Sequence, residues 1–180
     1  MAHKWYDHFT VWLKIGLALQ LVSTILFIVG FSTDVWIFAT FREDARREYG
    51  LWRYLFYTYS SRYEDMGAIR ANIGNNAIVI TRSDWYRATQ AMECFGLICI
   101  VIATFLLLLY FFVASCKRRN ALLATIVFTF ASVGFIVIGI AIFASKFDNY
   151  GYEVGWSMGL AIAAAILAFV AGIMEVLEIK

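Results

Sequence analysis

Ala88–Ser115, ATQAMECFGLICIVIATFLLLLYFFVAS, decides what kind of molecule this is, because it contains a single charged residue, Glu93, and no proline. A helix rises about 1.5 Å per residue, so a run of this length crosses the roughly 30 Å of hydrocarbon in a bilayer. Lipid offers no hydrogen bonds to a bare backbone, so such a run must be helical, and proline, which breaks helices, is absent from the whole chain. Composition agrees. Of 180 residues, 62% are hydrophobic and 16% charged, against roughly 45–50% and 25% in soluble domains. The net charge of +2 is spread over interleaved signs, which speaks against a nucleic-acid partner.

Working outward, three more apolar runs appear at about Phe9–Phe31, Ala121–Ser145 and Val154–Ile179. The first is interrupted by Lys14 and Gln20 and is too long for the apolar region of a signal peptide, so we expect it to be retained. The fold class is therefore a mainly α membrane protein, a bundle of four transmembrane helices forming one domain over 1–180. Its connections are unequal. Cys116–Asn120 and Lys146–Glu153 are short, whereas 32–87 is long enough to form a small domain. In that loop Val35–Phe41, Leu51–Tyr59 and Ala77–Thr81 are rich in aromatic and β-branched residues, with Gly74-Asn75-Asn76 as a turn, and predict a small antiparallel β-sheet resting on the helix ends. Lys117, Arg118 and Arg119 in the short middle loop place that side, and with it both termini, in the cytoplasm. The eight arginines of the large loop count for less, since the rule weakens in long loops.

Particular residues carry a resemblance. Trp36, then Gly50-Leu51-Trp52 in a strand-rich loop, then Arg87-Ala88-Thr89-Gln90-Ala91-Met92 at the start of the second span resemble the claudin, peripheral myelin protein and epithelial membrane protein superfamily. Tyr150-Gly151 and Gly155-Trp156 before the fourth span are similar to pairs at that place in the family. The resemblance implies a left-handed bundle under an extracellular sheet at the plasma membrane. It also implies non-enzymatic roles in cell junctions, adhesion or membrane organisation, or as an auxiliary subunit of an ion channel or receptor. The chain departs from claudin-type members in one respect. They carry two cysteines soon after the glycine-leucine-tryptophan motif, whereas Leu55 stands where the first would fall and no cysteine occurs from Ser32 to Arg87. The sheet then lacks the roughly 2–4 kcal/mol a disulfide commonly adds.

Trp36, Gly50, Leu51 and Trp52 are accordingly the expected sheet anchors. Arg42, Arg46 and Arg47 lie in Phe41–Glu48, which links two predicted strands and reads as an exposed tip. Arginine forks bind carboxylates, so these three are candidates for partner contact. Glu93 is a further candidate, either meeting another subunit or pairing internally with Lys146. Gly155, Gly159 and Ala163 recur every fourth residue, as do Ala164, Ala168 and Gly172, and offer helix-packing faces. Cys116, beside the basic run, is a palmitoylation candidate or an unmodified interfacial thiol.

Catalysis, metal and cofactors are not expected. Cys94 and Cys99 are five apart on one helix with no histidine near, and His3 and His8 have no nucleophile beside them. No span carries a run of charges that would line a transport pathway, which leaves a transporter or channel as the weaker reading. The expected partners are the lipid bilayer and other membrane proteins, by self-association or with a channel or receptor, and not nucleic acid or a small-molecule substrate.

Overall fold

The structure, a computed structural model, describes residues 10–42, 45–58, 61–65, 68–73, 76–81, 84–113, 118–146 and 153–179, with side chains for 10–40, 48–53, 84–113, 118–146 and 153–179. Four helices among them are long and apolar enough to cross a membrane. They are α1 (Val11–Ser32), α2 (Asp84–Phe112), α3 (Arg119–Ser145) and α4 (Trp156–Glu178). Local chemistry sets their ends. The Thr10 hydroxyl accepts the Leu13 N–H at 3.4 Å to open α1, and the Thr33 N–H returns to the Val29 carbonyl at 3.1 Å to close it. α2 starts four residues before the apolar run, at Asp84, whose charge suits the positive end of the helix dipole.

The helices reverse the usual division between inside and outside. Large apolar side chains such as Ile25, Phe95, Phe105, Val127 and Ile166 are exposed on the outer face, where lipid replaces water. Gln20, Ser23, Thr104, Thr129, Ser132 and Glu175 are turned inward. Lipid tails are as apolar as leucine, so association here depends on close packing and interhelical hydrogen bonds rather than on exclusion of water. Both are present. α1 packs chiefly on α4 and α2 on α3. A Cβ on Gly30 would stand 2.7 Å from the Ser157 carbonyl oxygen, and one on Gly96 would stand 2.7 Å from Ile136 Cγ1. The Ser23 hydroxyl donates to the Ala164 carbonyl at 2.7 Å, the Thr24 and Thr104 hydroxyls meet at 2.7 Å, and Gln20 Nε2 donates to Thr104 Oγ1 at 3.3 Å.

Between α1 and α2 lie β1 (Ile37–Arg42), β2 (Ala45–Tyr49), β3 (Tyr54–Thr58), β4 (Ser61–Asp65), β5 (Ala68–Ile73) and β6 (Asn76–Thr81); β7 (Glu153–Val154) precedes α4. One sheet has the order β4-β3-β2-β1-β7, and β5 and β6 form a separate hairpin. All pairs are antiparallel, with Ile37 opposite both Tyr49 and Val154, and Tyr49 opposite Tyr54. The expectation of a small antiparallel sheet in the large loop holds, with corrections of detail. Leu51 and Trp52 precede the strand they were assigned to, because Gly50–Arg53 turns the chain: the Gly50 N–H donates to the Arg53 carbonyl at 2.8 Å. Ala77–Thr81 belongs to the separate hairpin rather than to the main sheet. Gly74, Asn75, Tyr150 and Gly151 lie outside the described residues.

Candidate interaction site

The part of the molecule with the most specific chemistry is the joint between sheet and bundle. Trp36 and Leu51 are 0% exposed, Gly50 is buried and Trp52 half-buried. Buried indole and backbone polar groups need partners, and each finds one on a helix. Trp36 Nε1 donates to the Gly30 carbonyl and Trp52 Nε1 to the Phe31 carbonyl, each at 2.9 Å, so both indoles satisfy acceptors at the free end of α1. From α2, Gln90 Nε2 donates to the Leu51 carbonyl at 2.7 Å and the Tyr86 hydroxyl donates to the Gly50 carbonyl. From α4, the Gly155 N–H reaches the Trp36 carbonyl at 2.7 Å and the Ser157 N–H reaches the Val35 carbonyl at 3.1 Å. Three helices thus hold one turn and the start of β1.

Two glycines are obligatory here for lack of space. A Cβ on Gly50 would stand 2.6 Å from the Asp34 carbonyl oxygen, and one on Gly155 would run into the Val35 carbonyl. Aromatic rings fill the remaining volume: Trp36 meets Phe143 edge-on at 5.4 Å, and Phe31 meets Trp52 at 5.1 Å. Arg53 Nη1 and Asp34 Oδ2 lie 3.8 Å apart at the rim, a pair of an exposed arginine and a half-buried aspartate with small energetic weight. Tyr86, Gln90, Gly30, Phe31 and Ser157 were not singled out from the sequence. Gln90 lies in the Arg87–Met92 motif, which was the available signal, whereas the others act through backbone or a contact distant in sequence.

The remaining candidates are placed differently from expectation. Arg42 ends β1, while Arg46 and Arg47 lie within β2, opposite Thr40 and Ala39. They do not form a loop tip: the intervening Glu43 and Asp44, like the side chains of all three arginines, are outside the description. Glu93 is 0% exposed, enclosed by its own bundle against Gly139 of α3, and neither carboxyl oxygen has a hydrogen-bond partner among the described residues. It therefore neither faces another subunit nor pairs with Lys146, which caps α3 near its exposed end.

On α4, Gly155–Gly159–Ala163 is not a buried face. Gly159 is exposed with nothing within 4 Å of its would-be Cβ, and Ala163 is half-buried. The buried face runs instead through Ala161, Ala164, Ala168, Ala171 and Gly172. Cys116, His3 and His8 lie outside the described residues. Among those described, no three metal-ligating side chains gather.

A family model described as PMP-22/EMP/MP20/Claudin matches residues 9–175. Comparison with individual curated proteins gives no match. The family match begins before α1 and ends within the last turn of α4, taking in the four spans and the sheet together, and the chain is a multi-pass membrane protein belonging to the PMP-22/EMP/MP20/Claudin family.

Proposed function

We propose that this chain is a non-enzymatic protein of the plasma membrane, with both termini cytoplasmic, that acts through protein–protein contact in cell junctions, adhesion or membrane organisation. The observation that supports this reading is the mounting of the sheet. Three helices grip the Gly50–Trp52 turn and the start of β1, so the strands beyond form a platform whose pose is set by the membrane-embedded bundle. A preorganised platform loses less entropy on association than a mobile loop would. Arg42, Arg46 and Arg47 on β1 and β2, in a loop with eight arginines and seven acidic residues, suit a partner with acidic groups to offer.

The test is charge reversal at all three, Arg42→Glu, Arg46→Glu and Arg47→Glu, followed by purification from native membranes. Unchanged surface levels with weakened association support the reading. Recovery of the wild type in strands or homo-oligomers assigns the junctional role, whereas a fixed ratio to a larger channel or receptor assigns an auxiliary one. Unchanged affinity of the triple variant across salt concentrations removes this surface from consideration.

A further inference from the structure

Glu93 is not used by the reading above, yet it sits where it can govern the platform. Its carboxyl is fully enclosed and neither oxygen has a hydrogen-bond partner among the described residues. α3 makes room for it with a glycine: a Cβ on Gly139 would run into Oε1 and stand 2.9 Å from the carboxyl carbon. Among the described residues no counter-charge faces it. α1 carries only Lys14, near its opposite end, and α4 only Glu175 and Glu178, in its last turn. α3 has no charged residue between Arg119 at its start and Lys146 at its cap, about two turns beyond Gly139. On α2, Asp84 and Arg87 lie in the exposed first turn. The other titratable neighbours on that helix are Tyr86, bonded to Gly50, and the half-buried Cys94.

A carboxyl held in this way is not equally at home charged and neutral, because burying a charge without a partner carries a large cost. Whatever changes its charge must be answered by movement or hydration at the Gly139 contact. Gln90 and Tyr86 lie one and two turns from Glu93 on the same side of α2, and their side chains hold the Leu51 and Gly50 carbonyls.

We propose that the Glu93–Gly139 contact is a proton-controlled latch, through which the charge of one membrane-embedded carboxyl sets how firmly α2 holds the sheet. The step is a proton exchange. The carboxyl O–H bond breaks, water takes the proton, and the electron pair stays on the carboxylate, which draws water in and separates α2 from α3. The device operates whichever partner the sheet meets.

The full chain in lipid nanodiscs tests this by hydrogen exchange at 48–53, corrected for the intrinsic pH dependence of exchange. The scan runs from about pH 5, just above the range in which exposed carboxyls titrate, to about pH 10, beyond the roughly 8–9 that fully buried glutamates can reach. The wild type is expected to lose protection there as pH rises. Glu93→Gln is expected to show no such loss, and Glu175→Gln to behave as the wild type. Should Glu93→Gln fail to fold, Glu93→Ala with Gly139→Ala, which refills the space, takes its place. A response that persists without Glu93, one abolished by Glu175→Gln, or constant protection in the folded wild type overturns the proposal.

Discussion

The side-chain amide of Gln90 donates to the backbone carbonyl of Leu51 at 2.7 Å, joining a membrane helix to a turn 39 residues earlier in the chain. The bond is buried, so its loss is not made good by water. Gln90→Leu leaves an acceptor unsatisfied and is expected to cost about 1–3 kcal/mol, read as a lower melting temperature of the purified protein.

The two tryptophans of the joint differ in burial, and their replacement should differ in cost. Trp36→Ala removes a side chain that is 0% exposed together with its bond to Gly30, and a loss of about 3–5 kcal/mol is expected. Trp52→Ala, at a half-buried site, should cost less. Surface expression and thermal melts of the two variants give the order; the reverse order would contradict the account of the joint.

Glycine replacements separate tight sites from open ones. Gly50→Ala forces a methyl against the Asp34 backbone at 2.6 Å, which cannot give way as a flexible side chain would, and is expected to impair folding. Gly159→Ala meets nothing within 4 Å and should be neutral or stabilise α4 by up to about 1 kcal/mol through helix propensity. Comparable loss of folded protein in both variants would show that close approach is not the reason for glycine at position 50.

Reducing agent should leave the platform intact. No cysteine lies between Ser32 and Arg87, and the joint is held by hydrogen bonds and aromatic contacts. The melting temperature in dithiothreitol is expected to equal that without it. A fall of several degrees would reveal a thiol linkage elsewhere on which stability depends.

The four spans were legible because lipid imposes a one-dimensional requirement: enough apolar residues in a row, with every backbone group satisfied within the helix. Strand β2 was not legible. Ala45–Tyr49 reads ARREY, and its charged residues resemble a solvated turn, yet β1 and β3 on either side recruit it by backbone pairing that is indifferent to side-chain type. The same limit affected α4. Spacing of four identifies faces lined with small residues, but not which face meets a neighbour, and here it is Ala164 and Gly172 that are buried while Gly159 is exposed.

By itself, then, the sequence determined membrane residence, the number of spans, the loop that folds into strands and the absence of a cysteine pair in that loop. These follow from composition and from the local order of residues. Only the tertiary structure decided that Gly50, Leu51 and Trp52 are gripped by Tyr86, Gln90 and Phe31, and that Glu93 is enclosed against Gly139 instead of meeting Lys146 or another subunit. The physical reason is that such contacts join elements far apart in the chain, through backbone carbonyls that every residue possesses and through space left by an absent side chain. The order of residues shows that a glycine or a glutamine is present, but not which distant element it meets.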